Sequence, residues 1–254
     1  MADFDLTGEV ALITGASGDL GRHFAQVLAA AGAAVVLMAR RGDLVTAEAE
    51  RLRKEGYRAA AVTGDITLSQ GLNAAFAAAE SELGPISLLV NNAGISLTTP
   101  SLDLADSDWD AVIDTNLKGA WLASREAAQR WVKQKRPGNI INIASILGQR
   151  VTSQTLPYAV SKAGLIQMTK ALSLEWARHN IRVNALAPGY IRTALNDEFF
   201  STEAGAALVK RIPQRRLGQL PDLDGPLLLL ASAASSYMTG TVLTVDGGHL
   251  NSSL

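Results

Sequence analysis

Tyr158 and Lys162 stand four residues apart in Leu156-Pro157-Tyr158-Ala159-Val160-Ser161-Lys162, and chemistry is first visible in the chain at this pair. Pro157 suits the first turn of a helix, and the apolar stripe after it predicts a helix over 157–178 with Tyr158 in its first turn. On a helix this spacing puts phenol and ammonium on one face, within reach of a common ligand. A free phenol, with a pKa of about 10, is no base near neutrality, whereas a fixed ammonium beside it stabilises the phenolate and brings acid–base chemistry into range. The same residues serve equally as a tyrosine packed at a helix start and a lysine reaching solvent, so the pair acquires meaning only from its company.

That company begins at the amino-terminal end. The β-prone run Val10–Thr14 leads into Gly15-Ala16-Ser17-Gly18-Asp19-Leu20-Gly21, then a predicted helix over 20–31 stopped by Gly32, then the apolar run Ala34–Ala39. A βαβ unit with a glycine-rich first turn offers backbone N–H groups at a helix N-terminus to a pyrophosphate. Glycine also serves tight turns that bind nothing. The second strand ends in Ala39-Arg40-Arg41, where a carboxylate would receive an adenosine 2′-hydroxyl. Two guanidinium groups suit a 2′-phosphate instead, so NADP(H) is expected over NAD(H), unless the arginines are a solvated strand exit.

The elements that must position these residues alternate along the chain. Helices are predicted over 44–56, 69–83, 106–134, 157–178 and 223–231, and strands over 59–62, 86–90, 139–143, 182–187 and 242–245. Seven apolar strands alternating with helices imply an α/β fold, a doubly wound parallel sheet covered on both faces. No repeat, low-complexity linker or domain break interrupts residues 1–254, which are read as one domain.

Composition narrows the function. Charged residues make up 19% of the chain and the net charge is −1, which argues against a broad nucleic-acid-binding face. The absence of cysteine removes disulfides, thiolate metal sites and cysteine nucleophiles, and His23, His179 and His249 follow no metal-ligand spacing, so no metal is expected. The acidic start, without a basic segment followed by an apolar one, and the lack of a long apolar run lead us to expect a cytoplasmic protein without membrane association.

Together these residues closely resemble the short-chain dehydrogenase/reductase family, over nearly the whole chain. Thr14-Gly15 with Gly18 and Gly21 looks like its nucleotide loop, Asn91-Asn92-Ala93-Gly94 like its sheet-stabilising motif, and Tyr158-x-x-x-Lys162 like its catalytic pair. Ser145 lies thirteen residues before Tyr158, as the family's serine does. Pro188-Gly189-Tyr190-Ile191-Arg192-Thr193 resembles the segment that receives the nicotinamide, and Asn116 matches the family's helix asparagine.

The resemblance implies a single-domain Rossmann fold and an NADP-dependent carbonyl reductase or alcohol dehydrogenase. Ser145 would hydrogen-bond the substrate carbonyl, Tyr158 would pass its proton to the forming alkoxide, Lys162 would bind the nicotinamide ribose and lower the phenol pKa, and Asn116 would hold a water linking Lys162 to solvent. Ser17, Leu20, Asn92, Ala93, Gly94, Pro188, Gly189, Ile191 and Thr193 would line the cofactor, with Asp65 and the Ile66 backbone at the adenine. One position departs from the pattern: Asp19 stands where the family's middle glycine falls, beside the expected pyrophosphate. We expect it to turn outward as a helix N-cap, with Gly18 supplying backbone freedom.

Ser96, Leu97, Leu147, Leu156, Tyr190, Leu195 and Phe199 suggest a mainly apolar substrate pocket, and segment 193–217 has the length and mixed character of a lid. Arg150, Arg192, Arg215 and Arg216 could instead greet a carboxylate or a carrier phosphate, as in a 3-oxoacyl thioester reductase. A rival from another class is a non-catalytic nucleotide-binding regulatory protein, since fold alone does not establish chemistry. Family resemblance further implies a homotetramer, with helices 106–134 and 157–178 at one interface and the carboxyl-terminal strand near another.

Overall fold

The computed structural model describes residues 4–193 and 196–252. Its sheet contains β1 (Val10–Thr14), β2 (Ala34–Ala39), β3 (Ala59–Thr63), β4 (Leu88–Asn91), β5 (Gly138–Ile143), β6 (Ile181–Pro188) and β7 (Val242–Val245), in the order β3-β2-β1-β4-β5-β6-β7. Every pairing is parallel. β1, β2, β4 and β5 are buried at every position, as strands covered on both faces must be, while the edge strand β7 is half-exposed throughout.

Alternate strand residues feed two separate cores. Ala11 and Ile13 of β1 pack under α1 (Asp19–Ala30) and α2 (Gly42–Lys54), in a layer completed by Leu227 and Leu230 of a late helix. Val10 and Leu12 face the other way, toward Leu72 and Phe76 of α3 (Ser69–Leu83) and toward the long helices that precede and follow β5. The result is the doubly wound α/β sandwich that the sequence pattern implies.

The region predicted as one helix over 106–134 is helical throughout, but it is built as α4 (Asp106–Ile113), a π-helical turn (Asp114–Gly119) and α5 (Ala120–Gln134). The widened turn has a visible cause in Asn116, whose amide leaves the helix to accept from the Ile95 N–H at 2.8 Å and donate to the Ile95 carbonyl at 2.9 Å. α6 runs over Leu156–Trp176, the short helices α7 (Asp197–Phe200) and α8 (Glu203–Val209) lie in the segment expected as a lid, and α9 spans Asp224–Ala231.

Strand order reverses between β1 and β4, and in parallel α/β sheets ligands bind at that switch point, beyond the carboxyl ends of the strands. A buried polar chain ties these central strands to the helices that carry the site. Asn91 at the end of β4 donates to Ser124 of α5 and to Asn142 of β5, each at 2.8 Å, and Asn142 donates to Thr169 of α6 at 2.9 Å. We predict that Asn142→Leu, which keeps the branched outline but removes the bonds to Asn91 and Thr169, lowers stability by about 1–3 kcal/mol, although Asn91 keeps Ser124 and Thr169 keeps the Leu165 carbonyl. Scanning calorimetry should then record a Tm several degrees lower; an unchanged Tm would show that the network is not holding the layers.

Candidate active site

The two loops at the switch point touch. Gly15 follows β1 at φ +66°, and a Cβ built there would lie 2.6 Å from Ala93 Cα in the loop after β4. A Cβ at Gly21 would meet the Gly15 carbonyl, also at 2.6 Å, so the first turn of α1 lies directly on the loop. Thr14 binds the two loops: its Oγ1 accepts from the N–H groups of Asn92 and Ala93, both at 3.1 Å, while the Asn92 amide donates back to the Thr14 carbonyl at 3.0 Å.

Gly18 is the N-cap of α1 and offers its N-terminus no side-chain cap, so the first-turn N–H groups are directed at whatever occupies the turn. Here the structure corrects an expectation: Asp19 is the first residue within the helix rather than its cap, and its carboxylate turns to Arg22 at 2.7 Å. Gly18 itself has φ −92°, which needs no glycine, although a Cβ there would find only the Gly15 carbonyl at 3.7 Å. This bare cradle fits a pyrophosphate, with Ser17 and Leu20 on either side of the cap.

At the end of β2, Arg40 and Arg41 are exposed, and the Arg41 guanidinium donates to Ser17 Oγ at 3.1 Å, placing a cation on the rim of the cradle. Asp65, after β3, is fixed by accepting from the Thr67 N–H and hydroxyl at 2.9 and 2.8 Å, and Ile66 is buried under the Gly119 turn. On the other side, the Gly189 N–H donates to Val245 at 2.9 Å, Ile191 bridges to Gly218, and Asn196 clamps the segment by accepting from the Thr193 N–H and donating to the Ile191 carbonyl. Pro188, the last residue of β6, starts this segment beside Gly189, whose built Cβ would strike Asp246 at 2.7 Å.

Between these walls, Ser145, Tyr158 and Lys162 converge. Ser145 follows β5, caps the 3₁₀ turn Ile146–Gly148 by accepting from the Leu147 N–H at 3.1 Å, and is hydrogen-bonded to Tyr158. Lys162, only 4% exposed, donates to the Ile143 carbonyl at 2.7 Å, with its Nζ 5.6 Å from the centre of the Tyr158 ring. A Cβ on Gly94 would lie 3.6 Å from that Nζ, so the Asn91–Gly94 loop closes over the lysine. The Asn116 amide, besides holding Ile95, donates to Ser161 at 3.1 Å, and Ser161 donates to the Tyr158 carbonyl at 2.7 Å.

Burial pushes the Tyr158 phenol above its ordinary range, with Ser145 pulling it down and Tyr190 adding to the rise. It also brings the Lys162 amine down from 10.5 to about 8. Both groups are thus driven toward their neutral forms. The sequence-level expectation that the ammonium lowers the phenol pKa is not what this geometry produces, because Lys162 is drawn to a carbonyl rather than to the phenol oxygen.

The substrate side is assembled from several segments. Tyr190 packs edge-on against Phe200 of α7 at 5.8 Å, in a cluster with Ile212 and Leu217. Phe199 is 46% exposed while Phe200 is 9% exposed and turned inward. Leu147 and Leu97 are half-buried, Leu156 and Ser96 are exposed, and Leu195 lies outside the described residues. The four arginines that could have met an anion have other partners. Arg150 donates to the His249 carbonyl at 2.6 Å and Ser252 at 2.8 Å, Arg216 pairs with Asp222 at 2.6 Å, Arg215 bonds the Lys210 carbonyl, and Arg192 faces Asp197 at 3.5 Å. Ser161 and His249 contribute to the site without being singled out as site residues in the sequence, while Thr14 is legible there only as part of the nucleotide loop and Asn196 and Phe200 only as members of segment 193–217. Of the first two, Ser161 sits inside the Tyr158-x-x-x-Lys162 motif, which could have flagged it, and no local signal marks His249.

The buried lysine is a stability cost with a definite sign. Its folded pKa lies below its unfolded value, so the unfolded chain binds the proton more tightly, stability rises between pH 8 and 10.5, and the full penalty applies below pH 8. That displacement corresponds to about 3 kcal/mol, partly offset by the Ile143 hydrogen bond. Lys162→Met should therefore raise Tm at pH 7 by a few degrees while activity is lost; a lower Tm would mean that the amine is comfortable where it lies.

Comparison with known proteins agrees with this geometry. A family model described as enoyl-(acyl carrier protein) reductase matches residues 15–249. The 2-dehydro-3-deoxy-D-gluconate 5-dehydrogenase of Escherichia coli (strain K12) is 38% identical over 253 residues, 98% of each chain. The 3beta-hydroxysteroid dehydrogenase 1 of Eggerthella lenta is 39% identical over 96% of this chain and 94% of that one. The crystal structure of a gluconate 5-dehydrogenase from Burkholderia cenocepacia J2315, in complex with NADP and tartrate, has a TM-score of 0.94 at 36% identity and covers 99% of this chain and 98% of that chain. With similarity running from the glycine turn through the Ser145–Tyr158–Lys162 group to the edge strand, this chain belongs to the short-chain dehydrogenase/reductase family of oxidoreductases.

Proposed function

We propose that this oxidoreductase interconverts a secondary alcohol and a ketone on a polyhydroxy acid of the sugar-acid class, using NADP(H). The observation that carries the reaction type is the meeting of the Ser145 and Tyr158 hydroxyls beside buried Lys162. Support for the sugar acid comes from relatives named for 2-dehydro-3-deoxy-D-gluconate and gluconate, and support for NADP(H) from the Arg40–Arg41 strand exit and the relative solved with NADP. Of the four arginines, Arg192 has the loosest commitment, a largely exposed pair with Asp197 worth at most about 1 kcal/mol, and it is the natural partner for a substrate carboxylate.

When bound, NADP(H) supplies or accepts the hydride. Two hydroxyls aimed at one substrate oxygen stabilise the negative charge that develops there more than they stabilise the carbonyl. Burial keeps Tyr158 protonated at neutral pH, the form that donates to an alkoxide during reduction; oxidation needs the phenolate and gains as pH rises. Ser145 would orient the oxygen and Lys162 would hold the ribose, while Asn116 keeps Ile95 and the start of α6 in register.

A second reading, an apolar secondary alcohol, is favoured by the Tyr190–Phe200–Ile212–Leu217 cluster and by the steroid-dehydrogenase relative. A 3-oxoacyl thioester needs a cation for its carrier phosphate, and Arg150 is tied to His249 and Ser252 while Arg215 and Arg216 already have partners at the surface. For assembly, we propose a homotetramer: α5 and α6 leave Trp121, Val132, Val160 and Leu174 exposed, the last at 82%, and β7 leaves a half-exposed edge.

The reaction is tested by following reduced-nicotinamide absorbance with 5-keto-D-gluconate, a 3-ketosteroid and acetoacetyl thioester. We expect the sugar acid to be turned over fastest and Tyr158→Phe to abolish turnover while NADPH still binds. Inertness of all three substrates, with a Tyr158→Phe chain indistinguishable from wild type, would favour a regulatory nucleotide-binding protein. Arg41→Ala should weaken NADPH binding by about tenfold or more, with NADH affinity little changed, because one charge-assisted contact is lost. Equal weakening of both nucleotides in a titration would remove Arg41 from the 2′-phosphate.

A further inference from the structure

The segment after β7 is folded back onto the site and held there by hydrogen bonds from two sides. Gly247 and Gly248 take φ +64° and +86°, and Asp246 holds the turn by accepting from the N–H groups of Gly248 at 2.8 Å and Leu250 at 2.6 Å. Arg150, five residues beyond Ser145, reaches across to the His249 carbonyl and to Ser252, which also donates to His249 at 2.9 Å. The backbone of His249 is thereby fixed to the loop that carries the catalytic serine.

Its ring lies against Tyr190, with centroids 5.6 Å apart at 39°. The same Tyr190 ring receives Phe200 of α7 edge-on, its hydroxyl is bonded to Thr152, and it acts electrostatically on Tyr158. Three segments distant in sequence therefore meet on one phenol beside the catalytic one. Packing alone would be served by phenylalanine; instead His249 Nδ1 is buried with no hydrogen-bond partner among the described residues, which costs about 1–3 kcal/mol.

We infer that His249 is a positioning residue for substrate recognition: by packing on Tyr190 it sets the wall that Tyr190 and Phe200 of α7 present to substrate. The carboxyl-terminal turn then governs substrate KM through Tyr190, without touching the nucleotide or the transferred proton. Only the kinetic arm of the test rests on the proposed hydride-transfer reaction; the coupling itself can be read without substrate.

The chain has four tyrosines, so uniform 3-fluorotyrosine labelling yields a small fluorine spectrum in which Tyr190→Phe assigns the Tyr190 resonance. His249→Ala should move the resonances of Tyr190 and Tyr158 and leave those of Tyr57 and Tyr237 in place. In kinetics with 5-keto-D-gluconate it should raise KM by fivefold or more, with NADPH affinity within twofold and kcat within threefold of wild type. His249→Phe, which keeps a ring and removes the unpartnered nitrogen, should restore KM and the Tyr190 resonance with Tm equal to or above wild type. An unmoved Tyr190 resonance in His249→Ala would overturn the inference, as would an unchanged KM, a loss of NADPH binding, or a His249→Phe chain as impaired as the alanine variant. If no ketone were turned over, the proposed function would fall and the fluorine spectra would still decide the coupling.

Discussion

A buried amine under a half-buried phenol is the constraint on which the site depends. Lys162 has almost no exposed surface, and its hydrogen bond goes to the Ile143 carbonyl at the last residue of β5. For that contact to exist, α6 must cross the carboxyl end of the sheet at one height and one rotation. The same placement sets Tyr158 one turn earlier against Ser145, which follows β5 by two residues. The amine, the phenol and the serine are thus positioned by one strand end and one helix start, an arrangement more rigid than three independent loops would allow. Its disadvantage is electrostatic: low dielectric disfavours both charged forms, so the fold carries a destabilising group for the sake of its chemistry.

Polar groups elsewhere in the core hold that placement. The line Ser124–Asn91–Asn142–Thr169 passes from α5 through two strands to α6, and Asn116 with Ser161 stitches the π-helical turn to the first turn of α6. Each bond lies in a region where an unmet donor is expensive, so a one-residue slip of either helix would break several at once. An apolar core of the same volume would hold the layers together but would tolerate sliding. The polar chain resists sliding, and the proposed role of the Ser145 and Tyr158 hydroxyls, both addressing one substrate oxygen, leaves little tolerance for it.

The nucleotide side depends on closeness rather than on bonds. Gly15 touches Ala93 and Gly21 touches the Gly15 carbonyl, so the loops after β1 and β4 share a space too small for a side chain. Asp19, whose charge looks hostile to a phosphate in the sequence, is drawn to Arg22 three residues on, as helix geometry allows. The opposite wall is made differently: Tyr190 is steadied by a phenylalanine of α7, a threonine after β5 and a histidine near the carboxyl terminus.

The chain alone determined the seven-strand alternation, the doubly wound layering, the glycine turn and the pairing of Tyr158 with Lys162, because each is encoded locally; Ser145 joined that pair only through the resemblance to the family. Strand period, helix period and i,i+4 spacing follow from backbone geometry that a few consecutive residues dictate. Tertiary structure decided what depends on partners remote in sequence. The π-helical turn within helix 106–134 reflects Asn116 reaching Ile95, and the path of Lys162 reflects a carbonyl nineteen residues away. Phe200 turns inward beside exposed Phe199 because Tyr190 lies on that side, and His249 belongs to the site because Arg150 holds it there. Such contacts join residues ten to a hundred positions apart, and no local pattern records which of many polar or aromatic side chains will meet once the sheet has brought the strand ends together.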